Sequence, residues 1–262
     1  MKKIIVLLGV LLVFTLSACS KKELLIVTTT SLDNSGLLDY ILPVFEEEYG
    51  IFVKVVALGT GAALEMGEMG EADILLVHAY DREIEFVNNG YGEKRHNIMY
   101  NDFIIVGPFD LEGDTLADAL EFMTSQELDF YSRGDNSGTH QKELSIWNQY
   151  NYDVTTFGNW YHETGQGMGA TLTMASLSGY YTLSDRATYL SMKDNLDLII
   201  AYENREELKN QYGVIKVNPD LHNRNEEYAD LFYDWIISQD TQDLIATYIM
   251  YDEQLFYPNA GD

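Results

Sequence analysis

Short apolar runs alternate with helix-period stretches twice along this chain, and that alternation is what most restricts its fold. Leu24–Val27, Phe52–Ala57, Ile74–Val77 and Phe103–Val106 read as strands. Between them, Gly36–Tyr49 places Leu37, Leu38, Ile41, Val44 and Phe45 on one helical face, and Ala62–Glu68 and Arg82–Asn88 read as shorter helices. The pattern restarts after Gly107-Pro108, with strands at Phe130–Ser132, Tyr180–Leu183 and Leu196–Ala201 and helices at Ser137–Tyr150 and Met168–Ser176. The tail returns to an extended Gly213–Val217 and to helices at Glu226–Ile237 and Gln239–Met250. Ala229, Phe232, Trp235 and Ile236 form the core stripe of the first of these. Such alternation predicts an α/β fold with largely parallel sheet. The boundaries place residues 19–107 with 213–262 in one lobe and 108–212 in the other. Two lobes joined by more than one passage of the chain leave a cleft between them, a common place for a small ligand.

The N-terminus points to export. Lys2 and Lys3 precede an apolar run from Ile4 to Leu16, then Ser17-Ala18-Cys19. The run is shorter than the roughly 18 residues a spanning helix needs. A basic start, a short apolar core and small residues make a signal segment over 1–18. Leu16-Ser17-Ala18-Cys19 resembles a lipobox, so Cys19 is expected to carry lipid and to hold the protein at the outer face of the membrane. Cys19 is also the only cysteine, so the mature chain has no internal disulfide and depends on core burial for stability.

The formal charge is −26, and loss of Lys2 and Lys3 makes the remainder more acidic still. Nucleic acid and anionic membrane surfaces are therefore poor partners. A small anion is not excluded, because distant charge is screened over about a Debye length and a local set of donors can outweigh it.

Four polar loops follow strand candidates, where ligands gather in α/β sheets. Thr28-Thr29-Thr30-Ser31 precedes a helix, and an ordinary N-cap would use the same residue types. Gly59-Thr60-Gly61 lets backbone N–H groups approach a ligand, or is simply a turn. Ser132–His140 carries Arg133, Asp135, Ser137, Gly138 and Thr139 ahead of the apolar-periodic Leu144, Ile146 and Trp147. A helix starting near Gly138 would aim free N–H groups and its positive dipole end at an anion beside Ser137. Arg133 would supply a permanently charged two-point clamp, oriented by Asp135. The fourth loop, Glu163–Thr171, brings three glycines, Gly165, Gly167 and Gly169, to a helix start and reaches the ligand or acts as a hinge.

Enzyme signatures are missing. His78, His96, His140, His162 and His222 show no metal-ligand spacing, and no Walker A loop, His-Glu-x-x-His or Gly-x-Ser-x-Gly appears. An exported hydrolase using Asp135 or His140 on a phosphoester would need a nucleophile or metal cluster that is not visible. No catalytic residue, cofactor or metal cation is expected.

Taken in order, Thr28–Ser31, Gly59–Gly61, Ala72–Ala79, Met99–Phe103, Ser132–His140, Gly165–Leu172 and Tyr181–Arg186 resemble the tungstate-binding components of bacterial ABC importers, from about Leu24 to the C-terminus. Arg133-Gly134-Asp135-Asn136-Ser137-Gly138-Thr139 is also similar to a motif of phosphate-binding proteins of related fold. The resemblance implies a two-lobed periplasmic-binding-protein fold of type II-like form, each lobe a mostly parallel sheet flanked by helices. It implies an oxyanion held between helix N-termini, an ABC permease as partner, and a monomer. Carried over by motif, Thr30, Ser31, Thr60, Arg133, Ser137 and Thr139 are the ligand-binding candidates, with Gly138 and the Met168-Gly169 backbone beside them. A fully deprotonated tetrahedral dianion wants donors only, which these groups supply. Phosphate near neutral pH often keeps a proton and benefits from a carboxylate acceptor. Asp135 is expected to be occupied by Arg133, and His78-Ala79 follows the Ile74–Val77 strand where an acidic pair would serve, although the fold could deliver Asp73 or another carboxylate. This favours tungstate or molybdate, with phosphate or sulfate as the alternative in the same architecture.

Overall fold

The computed structural model describes residues 22–222 and 225–261, without the side chain of His222. The signal segment 1–18 and Cys19 lie outside the described residues. The first half of the chain forms β1 (Glu23–Thr29), α1 (Thr30–Asn34), α2 (Leu37–Tyr49), β2 (Phe52–Leu58), α3 (Thr60–Glu68), β3 (Ile74–Val77), α4 (Tyr80–Asn88) and the long β4 (Gly92–Gly107). Next come α5 (Leu116–Ser125), β5 (Phe130–Ser132), α6 (Gly138–Gln149), β6 (Tyr161–Glu163), α7 (Met168–Ser178), β7 (Tyr181–Asp185), α8 (Arg186–Met192) and β8 (Ile199–Tyr202). The chain ends with β9 (Lys209–Val217), α9 (Pro219–His222), α10 (Glu226–Ile236), α11 (Gln239–Ala246) and the short strands β10 (Ile249–Met250), β11 (Glu253–Gln254) and β12 (Tyr257–Pro258).

The main sheet runs β2-β1-β3-β9-β4-β7-β5-β6, with β8 and β12 also pairing β4. Two parallel sets sit at its ends: β2, β1 and β3, then β7, β5 and β6. Between them β9 and β4 run antiparallel to their neighbours, so the sheet is mixed rather than largely parallel throughout. β4 joins the two sets: Gly92–Asp102 pairs β9, and Phe103–Val106 pairs β7.

In the first set β1 and β3 are buried on both faces, which is why they read as continuous apolar runs, whereas the edge strand β2 is only partly buried. Ile26, Ile74 and Leu76 pack on one side with α2 and α10, while Val27, Leu75 and Val77 pack on the other with α3 and α4. Phe45 is fully buried against Phe232 and Trp235, a contribution of about 2 kcal/mol for a side chain of that size. The second set has its own aromatic core around Phe130, Trp147 and Trp160.

Among the boundaries that differ from expectation, three have reasons in local contacts. β4 begins at Gly92, far before Phe103, because the charge of Arg95 within it is absorbed by fully buried Glu83 at 2.6 Å. The last long helix stops at Ala246 instead of Met250: Thr247 turns its hydroxyl back to the Leu244 carbonyl at 2.7 Å, and Ile249–Met250 joins a hairpin. β8 starts at Ile199 rather than Leu196, since Lys193–Asn195 closes a 3-10 turn.

Candidate functional site

Each of the four polar loops leaves the carboxyl end of a strand and opens a helix: β1 into α1, β2 into α3, β5 into α6 and β6 into α7. All four reach one cavity of about 590 Å³. Thr30 and Ser31, Thr60, Arg133, Ser137, Gly138, Thr139, Met168 and Gly169 all line it, so the structure brings every expected ligand-binding residue to one place.

Local chemistry explains the arrangement. In the Thr-Thr-Thr-Ser run each residue has a separate task. Thr28 donates to the Leu76 carbonyl at 2.8 Å and fastens β1 to β3. Thr29 caps α1 by accepting from the Leu32 N–H, which leaves Thr30 and Ser31 on the cavity wall. Helices α3 and α7 are capped by Gly59 and Gly167 with no side-chain cap, so their first N–H groups face the cavity without a competing oxygen. Ser137 accepts from the His140 N–H to cap α6.

The Arg133 loop is tightly specified. Arg133 donates through Nη2 to Asp135 Oδ2 at 2.5 Å and through Nη1 to Thr139 Oγ1 at 3.4 Å. Asp135 also accepts from the Ser137 N–H at 3.1 Å. Burial pushes the Asp135 carboxyl up, but the Ser137 hydrogen bonds and the Arg133 charge outweigh it and hold it below the usual carboxylate range. Gly134 takes a φ of 59° and packs against Glu163; a Cβ there would sit 2.7 Å from the Glu163 Cβ.

Two donors in the cavity have no protein partner: Thr60 Oγ1 and Arg133 Nε are buried and unpaired. Buried polar groups are nearly always satisfied, so two unpaired donors on cavity-lining residues are a need that an acceptor-rich ligand would meet.

Some groups at the cavity were not foreseen. His78 lines it, with Nε2 3.4 Å from Ser31 Oγ. Burial pushes its pKa down to about 4, so the ring is neutral at physiological pH. Asp185 also lines the cavity, at 2% exposure, and caps α8 by accepting from the Thr188 N–H and hydroxyl at 2.9 Å. Burial raises its pKa, against the lowering effect of Thr188 and of the Arg133 charge. Asp185 is thus a second carboxylate at the cavity beside Asp135, of the kind the fold was expected to be able to deliver. Asp73 is not the second: its Oδ2 accepts from the Leu25 N–H at 2.8 Å. The sequence signal for Asp185 was an Asp directly after an apolar strand and before a helix, hidden when the strand is ended at Leu183.

Of the remaining histidines, His96 contacts the Ala260 carbonyl and His162 pairs with Asp129. His140 accepts the Asn136 N–H on Nδ1 at 3.0 Å. Among the described residues no group of three His, Cys, Asp or Glu side chains is placed to hold a metal ion, and no helix is long and apolar enough to cross a membrane.

Known proteins resemble this chain in sequence and in fold. Residues 15–240 match the PBP superfamily domain. The chain is 48% identical over 253 residues to the tungstate-binding protein TupA of Peptoclostridium acidaminophilum, covering 92% of this chain and 87% of that protein. The solved structure of TupA from Desulfovibrio alaskensis G20 superposes with a TM-score of 0.83 at 43% identity, covering 91% of this chain and 99% of that one. The tungstate ABC transporter structure from Geobacter sulfurreducens gives 0.78 at 40% identity, over 87% and 99% of the two chains. Similarity over most of the chain is thus shared in sequence and in fold, and the chain belongs to the tungstate-binding proteins of the periplasmic-binding-protein superfamily.

Proposed function

We propose that this protein captures tungstate, as a tetrahedral dianion, in the cavity between a lobe of residues 19–107 with 213–262 and a lobe of residues 108–212, and delivers it to an ABC permease. One observation carries the reading: Arg133 and the first turns of α1, α3, α6 and α7 converge on a single hollow with buried donors unpaired. Hydroxyl, amide and guanidinium donors suit an ion whose oxygens all accept. The hollow is far larger than one four-oxygen ion, so capture includes closure of the lobes about β4 and β9, and closure gives the permease a signal of loading.

Lipid on Cys19 would keep the loaded protein beside its permease at the outer face of the membrane, with the protein acting as a monomer. The role is binding without catalysis. The two residues a hydrolase would enlist are already engaged, Asp135 by Arg133 and His140 Nδ1 by the Asn136 N–H. The family tie favours tungstate over molybdate, an ion of the same shape and charge, and over sulfate and phosphate. Calorimetric titration of the mature domain with all four ions tests the assignment. Tungstate is expected to bind most tightly; tight phosphate binding with no tungstate heat would overturn it.

A further inference from the structure

A chain with 42 carboxylates and 16 Lys and Arg repels a dianion at long range. Against that background the cations are unevenly placed. A second hollow, of about 400 Å³, adjoins the ligand cavity and shares His78 and Gly138 with it. Arg82, Lys142 and Lys209 line it, and Asp81 is the single carboxylate among its lining residues. None of the three cations makes an ion pair with a described carboxylate, which is equally true of Lys22, Lys54, Lys94, Lys193 and Arg205, whereas Arg95, Arg133, Arg186 and Lys216 all do. What sets the three apart is that they share one hollow.

Their positions matter more than their number. The Arg82 guanidinium lies against Gly61, a wall residue of the ligand cavity; a Cβ at Gly61 would be 3.0 Å from Arg82 Nη1. Lys142, on α6, donates Nζ to the Lys209 carbonyl of β9 at 3.1 Å and is left without a counter-charge. Burial alone lowers its pKa, as expected of a cation without an anionic neighbour. Lys209 Nζ sits 4.1 Å from the centre of the Tyr100 ring, which holds it in place without neutralising it. Unpaired positive charge on α4 and on α6 thus lines the hollow that adjoins the candidate cavity.

We infer that Arg82 and Lys142, with Lys209 behind them, form an outer capture site that draws the dianion from solution and passes it to the Arg133 cavity, setting the association rate. The inference rests on the oxyanion reading of that cavity. Physically, the distant carboxylates are screened over about 8 Å at physiological ionic strength, while low-dielectric walls focus the field of nearby cations. Such focusing raises on-rates by about 10- to 1,000-fold. The class of ligand is a small, fully ionised dianion.

Stopped-flow association of tungstate with the mature protein, followed by intrinsic tyrosine and tryptophan fluorescence at low and near-physiological salt, tests the inference. In the variant Arg82→Gln with Lys142→Gln, association at low salt should slow about tenfold, with dissociation within about twofold of wild type and the difference shrinking as salt rises. Arg82→Gln alone, at an exposed position, should slow association by a smaller factor, and Lys142→Arg should leave it unchanged. Lys94→Gln, an exposed site near the start of strand β4, removes the same charge as Arg82→Gln and should not slow association. An unchanged association rate and salt dependence in the double variant, or an equal effect from Lys94→Gln, overturns the inference while leaving the cavity reading intact. If wild type takes up no tungstate, that reading fails first. The same rates are then read with whichever of molybdate, sulfate or phosphate binds, and if none binds the capture site falls with the cavity.

Discussion

Arg133 and Asp135 form a 2.5 Å ion pair on the wall of the candidate cavity, and that pair leaves Arg133 Nε buried and unpaired. Asp135 fixes the plane of the guanidinium, so the fork is aimed before any ligand arrives. Arg133→Ala removes the one full positive charge of the cavity wall and strands a half-buried carboxylate there. Tungstate affinity should fall by more than about 100-fold, roughly 3 kcal/mol. Arg133→Lys keeps charge but not the fork and should fall between. Calorimetry on the folded variants reads this; wild-type affinity in Arg133→Ala would remove Arg133 from the site.

At Gly138 α6 comes close to His78 and Thr60. A Cβ there would lie 2.8 Å from His78 Cε1 and 3.1 Å from Thr60 Oγ1. Gly138→Ala should hold the walls apart and weaken tungstate binding about tenfold. Gly138 is the first residue of α6, so helix propensity adds little and only a small change in thermal stability is expected, set by how far His78 yields to the new Cβ. Calorimetry and a melting curve on the same sample separate the two effects.

Asp185 brings a carboxylate to a cavity read as a dianion site. A donor-only ligand gains nothing from it, so Asp185→Asn should leave tungstate affinity equal or up to about tenfold tighter, on the order of 1 kcal/mol. Asn also caps a helix well, so α8 should survive. Loss of binding in Asp185→Asn would mean that the ligand needs an acceptor, and hence carries a proton as phosphate does.

Glu143 lies beneath the Arg133 loop and accepts from the Tyr161 hydroxyl at 2.6 Å. Burial pushes its pKa up to about 7, despite hydrogen bonds that favour the charged form. A carboxyl raised on folding contributes stability below its ordinary value of 4.5 and loses that contribution as pH rises through about 7. Wild type should therefore lose stability relative to Glu143→Gln between about pH 4.5 and about pH 8, by on the order of 3 kcal/mol. Melting temperatures of both proteins across that range measure it; parallel curves would contradict the buried, protonated carboxyl.

The four loops were legible because each combines small or hydroxyl residues with a strand before and a helix after, a pattern set within a few residues. His78 and Asp185 were not, because each is single in sequence and gains its meaning from a wall supplied by another part of the chain. β4 was half legible for a related reason. Its Phe103–Val106 segment is apolar, whereas Arg95 reads as surface until Glu83, on another element, buries its charge. The mixed sheet followed from the same blind spot, since nothing local marks β9 as the strand that runs against β3 and β4.

The most direct measurement is a crystal structure of the mature protein grown with tungstate, located by anomalous scattering of tungsten. One peak is expected in the hollow shared by Arg133, Thr60, Ser137 and Gly169, with the ion's oxygens within about 3 Å of Arg133 nitrogens and of the Thr60 hydroxyl. A peak elsewhere on the surface, with Arg133 and Thr60 still unpaired, would contradict the account.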